Sequence, residues 1–86
     1  MTQSILIVDD SLTVRMDLAD AFEAAGFKTV PRSTIAQARE ALRDEDIGLV
    51  VLDVILPDGD GVDLLKELRS TPERSATPVI MLSGEA

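Results

Sequence analysis

The sequence predicts an α/β protein built on a doubly wound parallel sheet. Three apolar runs, at residues 5–8, 49–52 and 79–82, are rich in Val, Ile and Leu, and each stops at an oxygen-bearing side chain. Continuous runs of this kind are typical of parallel strands that are buried on both faces. Segments with helical periodicity separate the runs, and strands that alternate with helices indicate βαβ units.

The first half of the chain is predicted to fold as strand, helix, strand and helix. After the strand at 5–8, residues 11–25 predict a helix that ends before Gly26, a residue favoured after a helix C-terminus. Its side chains expected to face the core are Val14, Leu18, Phe22 and Ala25. Residues 28–30 predict a short strand that Pro31 ends, which suits the edge of a sheet. A second amphipathic helix is expected over residues 34–44.

The second half of the chain continues the alternation after the strand at 49–52. Residues 57–61 predict a loop because they consist of Pro, Asp and Gly. The apolar residues that predict a third helix are Val62, Leu65 and Leu68. Residues 70–78 predict a polar loop before the last strand at 79–82. The charged side chains expected to face solvent are Arg15, Arg39 and Arg43, and, around the start of the third helix, Asp58, Asp60 and Asp63.

Composition restricts the chemistry available to the protein. A formal net charge of −8 over 86 residues disfavours binding to nucleic acid or to anionic lipid. The absence of Cys and His excludes thiolate metal sites and catalytic triads that use either residue. Neither a signal sequence nor an apolar run long enough to span a bilayer is recognised, so we expect a cytoplasmic location.

Four oxygen-bearing side chains are predicted to meet at one edge of the sheet. Asp9 and Asp10 follow the first apolar run, Asp53 follows the second, and Ser83 follows the third. Parallel strands end at a common edge, where ligands bind in open α/β sheets. Carboxylates ~4 Å apart repel by about 4 kcal/mol at an effective dielectric of 20. We therefore expect one of them to be protonated, or a hard cation such as Mg²⁺ to join them.

A carboxylate beside a bound cation and a hydroxyl group is able to accept a phosphoryl group. Carboxylates act as nucleophiles that form aspartyl phosphates. The transfer itself depends mainly on positioning and on neutralisation of charge. The pattern thus predicts a phosphoacceptor site without reference to any family.

These residues also resemble a response-regulator receiver domain of two-component signalling. The resemblance rests on Asp9-Asp10 after the first strand, Asp53 after the third, and Ser83 after the fourth. It also rests on Pro57 and Gly61, four and eight positions after Asp53. It spans the whole chain and implies a flavodoxin-like doubly wound parallel sheet in which four strands alternate with three helices along the chain. Family members continue through a further helix, a fifth strand and a last helix, so residues 1–86 are expected to form the N-terminal portion of such a domain.

The resemblance implies a role for each site residue. Asp53 accepts phosphate from a partner histidine kinase or histidine phosphotransfer protein. Asp10, Asp53 and the backbone carbonyl of Ile55 bind Mg²⁺, and Asp9 assists. Ser83 contacts the phosphate and reports its presence to a surface. The family Lys that contacts the phosphate comes from the fifth strand, and neither Lys of this chain stands at the end of a strand.

Alternative functions follow from other features of the sequence. The apolar last strand leaves an uncovered edge, which favours a non-phosphorylated assembly module or a homo-oligomer formed through that edge. A phosphohydrolase of the haloacid-dehalogenase type needs a second Asp two positions after its nucleophile, and no candidate here has one. A nucleotide-binding site is rejected because the chain has no glycine-rich phosphate loop.

Overall fold

The computed structural model describes residues 3–82. The strands are β1 (Ser4–Val8), β2 (Lys28–Arg32), β3 (Ile47–Asp53), β4 (Ile55–Leu56), β5 (Gly59–Asp60) and β6 (Val79–Leu82). The helices are α1 (Leu12–Ala24), α2 (Ile35–Asp44) and α3 (Gly61–Ser70), and a 3₁₀ turn spans Pro72–Arg74.

Four strands form one parallel sheet in the order β2-β1-β3-β6. Alternate side chains of β1 point to opposite faces, as the two-residue period of a strand requires. Leu6 and Val8 pack in one cluster with α2 and α3, whereas Ile5 and Ile7 pack in a second cluster with α1. Helices therefore cover both faces, and the prediction of a doubly wound parallel sheet is confirmed.

The predicted end of the second strand at Pro31 is wrong. β2 continues through Pro31 to Arg32, and Pro31 pairs in register with Ile7 of β1. β2 lies at an edge of the sheet and has β1 as its only neighbour among the described residues. An edge strand tolerates the missing N–H of proline because one side of its backbone is not part of the ladder.

Both loops predicted in the second half contain short regular elements. Residues 55–60 form a small antiparallel hairpin, in which Ile55 pairs with Asp60 and Leu56 with Gly59. The segment after α3 contains the 3₁₀ turn. We refer to residues 55–60 as the β4–β5 hairpin.

The predicted core face of α1 is only partly correct. Leu18 and Phe22 are half-buried and pack against the sheet, but Val14 and Ala25 are exposed and the buried residue is Ala19. Within residues 3–82, α1 is the only helix on this face of the sheet. Helical spacing locates an apolar stripe, but the neighbouring elements determine which of its residues are covered.

Arg74 joins three segments at the amino edge of the sheet, where β3 begins. Its guanidinium donates hydrogen bonds to the carbonyl oxygens of Ile47 at 2.8 Å, Leu42 at 2.6 Å and Glu45 at 3.3 Å. It therefore satisfies carbonyl groups at the end of α2, which a helix leaves without partners, and connects them to the start of β3.

We predict that Arg74→Ala lowers the free energy of unfolding by about 1–3 kcal/mol, because it removes charged hydrogen bonds and leaves carbonyl acceptors without a donor. The measurement is urea denaturation. The matched control is Arg43→Ala, since the Arg43 side chain is 67% exposed and its nearest acidic atom is 3.9 Å away. An equal effect of the two substitutions would contradict this role for Arg74.

Candidate functional site

The register of the sheet brings Asp9 and Asp53 to the same edge. Val8 pairs with Leu52 between β1 and β3, so the next residue of each strand emerges at the carboxyl edge. Both strands are almost fully buried up to this point. The apolar runs thus fix the register, and the register fixes the positions of the two carboxylates.

Asp9, Asp10 and Asp53 form a three-carboxylate cluster. One carboxylate oxygen from each residue lies within 4.8 Å of those from the other two. Asp9 is buried with 5% of its surface exposed, Asp53 is half-buried and Asp10 is exposed. The convergence expected from the sequence is therefore observed.

Asp9 is held in place by local hydrogen bonds at the start of α1. Its Oδ1 atom accepts a hydrogen bond from the Ser11 backbone N–H at 2.8 Å. Its carbonyl oxygen accepts one from Arg15 Nη1 at 2.7 Å. Arg15 is thus half-buried rather than solvent-facing as predicted. A buried charge needs such partners because its desolvation is costly.

The surroundings of Asp53 raise the pKa of its carboxyl group. The main cause is burial, which disfavours the charged form, and repulsion from Asp9 and, more weakly, Asp10 adds to it. The backbone N–H groups of Ile55 and Val54 oppose this shift because they stabilise the carboxylate. The free cluster is therefore electrostatically unfavourable, and an added positive charge would relieve it.

The chain turns sharply after Asp53 because Gly61 packs directly against it. The Gly61 N–H donates a hydrogen bond to the Val54 carbonyl oxygen at 2.6 Å. A Cβ atom at Gly61 would clash with the Asp53 backbone carbonyl oxygen. Only glycine fits this close approach, so the start of α3 sits beside the candidate phosphoacceptor.

The cluster fits a hard divalent cation. Three carboxylates that form no ion pair with a basic side chain within residues 3–82 offer the oxygen ligands that Mg²⁺ prefers. This cation keeps waters that other ligands can replace. The carbonyl of Ile55, two positions after Asp53, is a predicted ligand of this cation. The backbone N–H of the same residue stabilises the charged form of the Asp53 carboxyl group.

The other residues predicted at the site or in the loop beside it lie in different surroundings. Ser83 lies outside the described residues, directly after Leu82, which pairs with Asp53. Asp60 is exposed and caps α3, accepting a hydrogen bond from the Val62 N–H at 2.8 Å, as expected of a helix-start charge. Asp58 is exposed, as expected of a solvated charge, but its carboxylate binds the N-terminus of α2 rather than that of α3.

Comparison with known proteins identifies the family. The family model described as "Response regulator receiver domain" matches residues 5–86. The chain belongs to the response regulator receiver domain family. Receiver domains are signalling domains of two-component systems, and the resemblance seen in the sequence is confirmed.

Curated relatives of the receiver domain include several bacterial regulators. The transcriptional regulatory protein GltR of Pseudomonas aeruginosa is 39% identical over 84 residues, which are 98% of this chain and 35% of the relative. The aerobic respiration control protein ArcA of Escherichia coli is 36% identical over 83 residues, 96% of this chain and 34% of the relative. The chain thus spans about a third of the length of these relatives.

Solved structures show the same fold. The MaeR response regulator bound to beryllium trifluoride superposes with a TM-score of 0.88 at 36% identity, covering 99% of this chain and 70% of that one. A response regulator receiver protein from Pseudomonas putida gives 0.90 at 29% identity, covering 100% and 71%. Within residues 3–82, the helices of this receiver domain lack the combination of length and apolar character that crossing a membrane requires.

Proposed function

We propose that this receiver domain is a phosphoacceptor and that Asp53 is the residue phosphorylated. The observation that carries the proposal is the three-carboxylate cluster, in which Asp53 has a raised pKa and lies between Asp9 and the turn at Gly61. The phosphodonor is a phosphohistidine on a partner histidine kinase or histidine phosphotransfer protein. The domain then controls a protein interaction or an output domain.

We assign the metal site to Asp10, Asp53 and the Ile55 carbonyl, with Asp9 assisting. When bound, Mg²⁺ would neutralise charge on the carboxylates and on the incoming phosphoryl oxygens. Asp9 suits an assisting role because its Oδ1 is already engaged by the Ser11 N–H, whereas Asp10 is exposed. The donor set is oxygen only, which favours Mg²⁺ over Zn²⁺.

The residues of the chain itself supply the nucleophile and its orientation. An Asp53 carboxylate oxygen forms a bond to phosphorus as the bond from phosphorus to the partner's histidine nitrogen breaks, so the phosphoryl group moves to the aspartate. The Val54 and Ile55 N–H groups orient the carboxylate. Ser83 is assigned to hydrogen-bond a phosphate oxygen and to transmit the change. Beyond its own phosphorylation and dephosphorylation, we assign the domain no enzymatic activity.

The location and the partners of the domain are part of the same proposal. We place it in the cytoplasm, with a histidine kinase or histidine phosphotransfer protein as its partner and without nucleic-acid or membrane binding by this chain. Neither the comparisons nor the fold supports the alternative of a non-phosphorylated assembly module. A homo-oligomer through β6, and the assignment of residues 1–86 to the N-terminal portion of the domain, stay predictions.

Mg²⁺ is expected to raise the melting temperature of the wild-type chain. A ligand that binds only the folded state at about ten times its Kd stabilises by about 1.4 kcal/mol, and each kcal/mol shifts a domain of this size by roughly 4–8 °C. Asp53→Asn should abolish this rise. In metal-free buffer the same variant should melt higher than the wild type, because one of the repelling charges is gone. The measurement is thermal unfolding by circular dichroism at constant ionic strength.

An unchanged transition at millimolar Mg²⁺ would contradict the metal site. So would an equal rise in the wild type and in Asp53→Asn.

Phosphorylation is tested directly by incubation with acetyl phosphate and Mg²⁺, followed by intact mass spectrometry. The wild-type chain should gain one phosphoryl group, and Asp53→Asn should gain none. Asp63→Asn is the matched control, because Asp63 is an exposed carboxylate in the first turn of α3 and should leave the adduct unchanged. An adduct that persists in Asp53→Asn would assign the chemistry to another residue.

A further inference from the structure

The β4–β5 hairpin is joined to α2 by one carboxylate. Asp58 lies between the two strands of the hairpin, and its Oδ1 accepts a hydrogen bond from the Ile35 N–H at 2.8 Å. Its Oδ2 accepts a second one from the Ala36 N–H at 3.0 Å. Asp58 and these N–H groups are more than 20 positions apart in the sequence. Among residues 3–82, no other side-chain hydrogen bond connects the hairpin to α2.

This contact supplements a helix that already has its own cap. The Thr34 side chain accepts a hydrogen bond from the Gln37 N–H at 3.1 Å, which is the usual way of satisfying one of the free N–H groups of the first turn. Asp58 satisfies two more from outside the helix. These two N–H groups are also the main reason that the pKa of Asp58 is lowered, because they stabilise its charged form.

Packing accompanies the hydrogen bonds. Gly59 adopts a φ of 155°, and a Cβ atom there would come within 2.9 Å of Ile35 Cδ1. The Ile35 side chain is buried and belongs to the main core cluster. The turn of the hairpin therefore rests on the first residue of α2, with the Asp58 carboxylate bonded to the same residue.

The other end of the hairpin is tied to α3. Asp60 caps that helix, and the Gly61 N–H bonds to the Val54 carbonyl oxygen. The hairpin begins at Ile55, which pairs with Asp60 across the two strands. The placement of Ile55 therefore depends on two attachments of the hairpin. One joins it to α3 through Asp60, and the other joins it to α2 through Asp58.

We infer that Asp58 is a positioning residue for the metal site. By fixing the β4–β5 hairpin to α2, it holds the backbone of Ile55 in the position where its carbonyl serves as a ligand. The inference rests on the proposed function, since it assumes that the carboxylate cluster binds Mg²⁺. Asp58 does not touch the cluster; it acts through the backbone between Val54 and Asp60.

The test compares Asp58→Ala with Thr34→Ala in the full chain. Both substitutions remove an acceptor from the N-terminus of α2, but only the first also releases the hairpin. Amide hydrogen exchange and Mg²⁺ titration, both followed by NMR, report the hairpin and the metal site separately. Asp58→Ala should speed exchange of amides 54–56 and 58–61 in the metal-free protein and weaken Mg²⁺ binding by roughly tenfold, the loss usual for a residue that orients a ligand.

Thr34→Ala should speed exchange in the first turn of α2 and leave the hairpin and the Mg²⁺ affinity at wild-type values. Asp58→Asn retains an oxygen acceptor for one N–H group and should fall between the wild type and Asp58→Ala. It also provides the test if Asp58→Ala does not fold.

Equal effects of Asp58→Ala and Thr34→Ala on both readouts would overturn the inference. Faster hairpin exchange with unchanged Mg²⁺ affinity would overturn it as well. A wild-type chain that does not bind Mg²⁺ at millimolar concentration would instead refute the proposed function, and the inference with it.

Discussion

The enforced proximity of three carboxylates is the constraint on which the rest of the site depends. Asp9 and Asp53 follow strands that are buried on both faces, so neither can move away without shifting a strand in the core. Moving a parallel strand by one residue would exchange the side chains that pack in the two core clusters. The apolar core thus holds together groups that repel each other, and a site strained in this way is a common mark of function.

The segment after Asp53 depends on contacts that are mainly made by the backbone. Gly61 allows α3 to begin against the Asp53 carbonyl oxygen, and the β4–β5 hairpin occupies the space between this point and α2. Side chains contribute at its attachments, where Asp58 and Asp60 each bind the N-terminus of a helix. Carboxylates are favourable at these positions because helix N-termini carry partial positive charge. The acidic residues of the loop therefore have structural partners that are separate from the cluster.

Much of the fold and of the cluster could be predicted from the sequence because both follow from local patterns. Continuous apolar runs indicate buried parallel strands, and the residue after each run must then lie at the common edge. The positions of Asp9 and Asp53 follow from this rule alone, and Asp10 joins them as the neighbour of Asp9. The assignment of Asp53 as phosphoacceptor drew also on the family resemblance.

The features that sequence patterns did not predict depend on partners distant in the chain. An Asp within a Pro-Asp-Gly turn is common in any loop, and only the tertiary structure shows that Asp58 reaches α2. Arg15 lies on the covered face of α1, three positions before Leu18, but this spacing does not show that its head group binds the Asp9 carbonyl oxygen. The edge position that Pro31 indicates is observed, but the local pattern does not show that β2 continues past this residue, because the continuation depends on pairing with β1.

The electrostatic state of Asp53 in the metal-free protein tests the central claim most directly. The pKa of its carboxyl group is measured by NMR titration of the side-chain carboxyl carbon. Burial and the neighbouring charges of Asp9 and Asp10 should place it above the ordinary value of 3.8. A pKa at or below that value would mean that burial and repulsion do not outweigh the stabilisation of the carboxylate by backbone N–H groups, and it would contradict the account of the site.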